Sequence, residues 1–152
     1  MPTIEYVTLA NHAEAINGLL YLSGAGWSEI RPPVGPEGQA AIVHFGIGLS
    51  VLVGWNDTNQ RFPVEITIVH EDGGDPIVRV EGQIEQGRPP GLTPGSDLRS
   101  VVAIDANVQF PRPGGYEVRA TLLGQVRTAS FRVVGPPPTG PAGPASYRLP
   151  GA

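Results

Sequence analysis

Between Glu37 and Asp57 the chain carries no charged residue, and the apolar residues in this run are sorted by position parity. The length approaches the roughly 20 apolar residues of a membrane-spanning helix. Gly46, Ser50 and Gly54 even repeat at the spacing of small residues in membrane helix contacts. The periodicity argues the other way. Odd positions hold Ala41, Val43, Phe45, Ile47, Leu49, Val51, Val53 and Trp55. Even positions hold Ile42, His44, Gly46, Gly48, Ser50, Leu52 and Gly54, mostly small or polar. A period of two belongs to a half-buried strand. Each glycine would also cost a helix interior about 1 kcal/mol relative to alanine, and no basic flank marks a cytoplasmic membrane face. The strand is long for a type that usually spans roughly 3–10 residues, so a bulge or bend is expected near Gly46–Gly48.

The rest of the chain reads the same way. Ile4 to Leu9 is a strand. Residues 11–16 either open one helical turn at an Asn11/Glu14 capping box or continue as a strand into Asn17-Gly18, a strong hairpin pair; the hairpin is expected, with Leu19 to Trp27 returning. Phe62 to His70 places Val64, Ile66 and Ile68 on one face. Ile77 to Glu85 places Val78, Val80 and Ile84 inward. Val101 to Phe110, Tyr116 to Leu122 and Thr128 to Val133 complete the set. Strands at this spacing, separated by turn signals, predict an all-β fold, an antiparallel β-sandwich of seven to eight strands. Glycine (21) and proline (17) are abundant, but the prolines collect in turns and beyond residue 135. The expected organisation is a β-sandwich domain over 1–134 and a Pro/Gly-rich disordered tail over 135–152.

Two stretches carry resemblances. "FPRPGGYEVRATLLGQVRTASFRVV" (110–134) resembles the closing hairpin of immunoglobulin-like and fibronectin-like domains, where a Pro-Gly turn precedes a tyrosine that ties down the corner. Tyr116 would be that residue, and the fold would be immunoglobulin-like. The Cys-Trp-Cys hallmark is absent, since the chain has no cysteine. "YVTLANHAEAINGLLYLSGAGWSEIRPP" (6–33), with the later "GWNDTN" and "PGGYEVRA", is similar to a family of short bacterial proteins whose domain has no known function. That likeness spans roughly 4–134. It implies a β-sandwich and supplies no activity.

Composition narrows the function classes. The net charge of −4 and ten scattered arginines with no lysine give no basic face for nucleic acid. Lack of cysteine removes thiolate chemistry, zinc–thiolate sites and disulfides. No basic-then-apolar segment opens the chain, so a cytoplasmic protein without membrane insertion is expected.

Candidate chemistry is thin. His12 and Glu14 share a strand face and could do acid–base work, but no nucleophile lies nearby in sequence. His44 stands on the polar parity of the long strand and could be a metal ligand or a pH-sensitive contact. His70, Glu71, Asp72 and Asp75 in "HEDGGD" could bind calcium, with Asp57, Asn59 or Asp105 assisting if they meet at one end, although Asp-Gly and Gly-Gly are also what a turn needs. Trp27 and Trp55 could form a stacking surface or close the core. No catalytic residue, cofactor or metal site is expected. The expected function is non-enzymatic: protein–protein contact, above all self-association into a homo-oligomer through the long strand, whose Gly/Ser-rich face carries His44, Gly48, Ser50 and Leu52. Trp27 and Trp55 are further contact candidates. Tyr147, Arg148 and Leu149 in the tail could dock a protein partner. The alternative is a module binding calcium, a carbohydrate or another small ligand through loops 31–39, 56–60 and 86–97 and the 71–75 turn.

Overall fold

The computed structural model describes residues 1–35, 37–38 and 41–135. Tyr147, Arg148 and Leu149 lie outside the described residues. Ten strands are formed: β1 (Thr3–Ala10), β2 (His12–Ile16), β3 (Leu19–Ser23), β4 (Glu29–Ile30), β5 (Val43–Val53), β6 (Arg61–His70), β7 (Val78–Glu85), β8 (Leu98–Val108), β9 (Gly114–Leu122) and β10 (Gln125–Val133). Among the described residues one 3-10 turn, Trp55–Asp57, follows β5. Among the described residues no helix is long and apolar enough to cross a membrane.

The strands form three sheets, ordered β1-β5-β8, β4-β10-β9-β6-β7 and β2-β3. Every pairing is antiparallel except the short β4–β10 contact. The long strand sits at the centre of the three-stranded sheet, and its parity decides what lies inside. Phe45, Ile47, Leu49, Val51 and Val53 are buried and join Ile66, Ile68, Val118, Ala120 and Leu122 of the five-stranded sheet in one apolar cluster. Each such side chain contributes about 1.5–3 kcal/mol on burial. Aromatic rings fill one end of this cluster. Phe45, Phe110, Tyr116 and Phe131 lie with ring centres 4.9–6.3 Å apart in their several contacts. The Tyr116 hydroxyl donates to the Arg112 carbonyl at 2.7 Å, the corner expected from the sequence. Burial raises the phenol's pKa and so keeps it a donor.

Four expectations are corrected. The strand begins at Val43 rather than Ala41, and its register with β8 runs unbroken from Val43↔Val108 to Val53↔Leu98. No bulge occurs at Gly46–Gly48; the irregularity falls on β1, between Ile4 and Tyr6. The glycines are there for a close approach, described below. Of the three β7 residues expected inward, only Ile84 is buried, and Val80 is exposed. The cause is position: β7 is an edge strand, so the alternation of its sequence outruns the cover available to it. Finally, the hairpin at Asn17-Gly18 forms, but as a separate two-stranded sheet, which raises the strand count above eight.

Candidate metal centre

The Gly/Ser face of β5 is covered from within the chain. At Ala10 the first strand leaves the three-stranded sheet, turns at Asn11 and becomes β2. Asn17 and Gly18 both take positive φ (51° and 77°), the conformation of a tight two-residue hairpin. β3 then returns, and the Asn11 amide closes the root of the hairpin on the Ser23 carbonyl at 2.9 Å. The hairpin lies on β5. A Cβ at Gly46 would stand 2.5 Å from the Ala13 backbone nitrogen, and one at Gly48 would stand 3.0–3.1 Å from the methyls of Leu22 and Leu20. Only glycine permits the first of these approaches.

This arrangement sorts the four β5 residues expected to face a partner. Gly48 and Ser50 are buried, Leu52 is half-buried, and His44 is exposed. The Ser50 hydroxyl donates to Glu5 at 2.8 Å, and Arg99 forks onto the same carboxylate at 2.9 and 3.0 Å. Arg99 first, then Ser50, hold the Glu5 carboxyl below its ordinary pKa.

At the root of the hairpin three side chains converge. His12 opens β2. His44 lies near the start of β5 on its outer parity. Asp105 comes from β8, in a register that pairs it with Gly46, while Asn107 pairs with His44. Among the described residues, His12, His44 and Asp105 form a group whose potential ligand atoms all lie within 4.8 Å of one another. Asp105 Oδ1 stands 3.5 Å from His12 Nδ1 and 3.6 Å from His44 Nε2. The two imidazoles are roughly parallel, with ring centres 6.4 Å apart. The three side chains keep 43–47% of their surface exposed.

The other nitrogen of each ring is occupied. His12 Nε2 donates to Glu14 at 2.9 Å, and His44 Nδ1 lies 3.1 Å from the Asn107 side-chain oxygen. The second nitrogen of each ring faces the same Asp105 oxygen. Two imidazole nitrogens and a carboxylate oxygen meeting at one point can hold a cation there, either a proton or a metal. A proton on His12 is one answer: the Glu14 hydrogen bond, opposed by desolvation and helped by the charge of Asp105, raises its pKa. The associated stability is present below the ordinary value of 6.5 and is lost as pH rises through the raised folded value. A metal is the other answer. A tetrahedral ion with bonds of about 2.0–2.2 Å spaces its ligand atoms about 3.3–3.6 Å apart; the two edges to Asp105 Oδ1 fall at that spacing, and the two imidazole nitrogens lie within 4.8 Å of each other.

The remaining candidates are placed elsewhere. Trp27 packs edge-on against Phe45 and Phe131, with centres 5.9 and 6.0 Å apart, and closes the core. Trp55 lies under the Arg88 guanidinium, 3.6 Å from its ring centre. In the acidic turn, Arg112 reaches Asp72 at 3.4 Å and Arg132 lies 3.8 Å from Glu71. The Asp72 amide donates to the buried His70 at 3.1 Å. The Glu71 and Asp72 carboxylates are thus directed at arginines, and no three-ligand group for calcium is found there among the described residues.

Sequence reading weighed His12 and His44 separately and considered Asp105 only as an assisting calcium ligand for the 71–75 turn. The available signal was parity: Ile104 and Ala106 point inward, so Asp105 points outward, as His44 does on β5.

A family model described as "Family of unknown function (DUF6941)" matches residues 5–134, and the chain belongs to that family. No curated protein and no solved structure matches the chain.

Proposed function

We propose that this member of a family of unknown function is a metal-binding module, taking a divalent transition ion at His12, His44 and Asp105. The observation that carries the reading is the convergence of two imidazole nitrogens on one carboxylate oxygen at 3.5 and 3.6 Å. Glu14 and Asn107, each on the far nitrogen of a histidine, are the kind of outer partners that orient metal-binding imidazoles. Two nitrogens and one carboxylate suit zinc and its neighbours in the first transition row. They do not suit calcium, which takes six to eight oxygens. Three protein ligands at a half-exposed site leave coordination positions for water or a small ligand.

Titration calorimetry of the metal-stripped protein with Zn²⁺ tests this. One ion per chain is expected, with affinity falling by about 100-fold or more in His44→Ala or Asp105→Asn, and with Ca²⁺ giving no competing heat. The affinity should also fall as pH drops through the raised His12 pKa, above the ordinary 6.5, because a ligating imidazole must shed its proton to bind. Zinc affinity unchanged in both variants would sink the reading.

One observation favours protein contact as a second reading. Ile16, Leu19 and Tyr21 on the hairpin are 47%, 60% and 52% exposed, and grouped exposed apolar side chains mark contact surfaces. Self-association would then run through the hairpin rather than through β5. Light scattering should give a mass above 16.0 kDa that falls in Leu19→Glu; a monomer at every concentration rejects it. We read the two large sheets, with the Tyr116 corner, as an immunoglobulin-like sandwich around their shared core.

A further inference from the structure

We infer that the ion also clamps the β2–β3 hairpin to the three-stranded sheet, so that metal supply sets how firmly the hairpin is held down. The inference rests on the metal-binding reading above and adds a regulatory consequence to it. The ligands are divided between two bodies. His44 and Asp105 stand on β5 and β8, strands joined by a continuous ladder of eleven residue pairs. His12 belongs to the hairpin, which pairs only with itself.

The hairpin's own hold is slight. Its strands are five residues each, and a two-stranded hairpin alone is marginally stable in water. It meets β5 with the Ala13 backbone over Gly46 and the Leu20 and Leu22 side chains over Gly48, and it also lies against β8. Its far side, Glu14, Ile16, Leu19 and Tyr21, is exposed. Both ends have pivots. Asn11 is a single bend residue between β1 and β2, and Gly24 and Gly26 follow β3 with φ of 64° and 100°. Lifting the hairpin takes His12 away and leaves the other two ligands in place. An ion held by three ligands in the closed form and two in the lifted form must favour closure by the ratio of the two affinities.

Hydrogen exchange of the full chain, with and without Zn²⁺ at a concentration that calorimetry shows to be saturating, tests the clamp. Amides of residues 12–23 are expected to slow by about 10- to 100-fold. Amides of β7, an edge of the other sheet that opens without disturbing the ligands, should not change. In His12→Ala, which removes a half-exposed side chain and leaves the fold its core, zinc should give the hairpin no protection. Three results overturn the clamp: unchanged hairpin exchange in zinc-loaded protein, equal slowing in β7, or protection retained in His12→Ala. If calorimetry shows no zinc binding at all, the functional reading itself falls and the clamp with it.

Discussion

Phe45→Ala is expected to lower stability by about 3–5 kcal/mol, the range for deleting a buried phenyl ring from a core. The ring is 1% exposed. Trp27 meets it edge-on at 5.9 Å, Phe131 lies tilted at 6.0 Å, and Phe110 stacks on it at 6.3 Å. These partners come from different parts of the fold: β10 for Phe131, the residues after β8 for Phe110, and the loop before β4 for Trp27. Three rigid rings on separate backbones cannot all collapse into the space left behind, so the cavity persists and the loss sits toward the upper end. The aromatic contacts add about 0.5–1.5 kcal/mol per pair beyond their buried area. Domains of this kind are stable by about 5–15 kcal/mol, so the variant should remain folded at room temperature with a melting point lower by roughly 10 °C. Urea unfolding measures it: the midpoint should fall with the slope unchanged. A loss below about 1 kcal/mol would mean that Phe45 is not a keystone of the aromatic cluster.

Gly46→Ala should act on both stability and the proposed metal centre. The new Cβ would meet the Ala13 nitrogen at 2.5 Å and the His12 carbonyl carbon at 2.7 Å. Both are backbone atoms, so no side-chain rotation relieves the clash, and the root of the hairpin must lift. The expected loss is about 1–3 kcal/mol, the usual cost of overpacking, together with a zinc affinity lower by more than about tenfold because His12 is displaced while His44 and Asp105 stay. Gly48→Ala is the control. Its closest neighbours are the Leu20 and Leu22 methyls at 3.0–3.1 Å, which can yield, and its effect should be several-fold smaller on both readouts. Equal effects from the two variants would contradict the backbone contact at Gly46.

The core was legible because parity is local. Phe45, Ile47, Leu49, Val51 and Val53 announce their face without reference to any other strand. Tyr116 was legible because its partner, the Arg112 carbonyl, lies only four residues upstream. The destination of the hairpin was not. Nothing within "NHAEAINGLLYLS" states that Ala13 will rest on Gly46, because that contact depends on β1 breaking off at Ala10. The same limit hid the candidate metal centre. His12, His44 and Asp105 are far apart in sequence, and each alone reads as a solvated polar residue. They become a site only through the β5–β8 register and the docking of β2, both of which are tertiary facts. The expectation of an open Gly/Ser face on β5 shows the hazard: small residues on a strand mark a close approach, and the approaching surface can belong to the same chain.

The position of the hairpin in the chain also gives it a schedule. Residues 12–23 leave the ribosome early, with Leu20 and Leu22 ready to cover a sheet that does not yet exist. Their platform needs both β5 and β8, and β8 ends at Val108, roughly eighty-five residues after Ser23. At about 5–20 residues per second, the hairpin waits for roughly 4–17 s with its aliphatic side uncovered. A short, glycine-hinged segment that is weakly apolar on both faces is suited to that wait, since a stronger apolar hairpin would find another partner before its own sheet arrived.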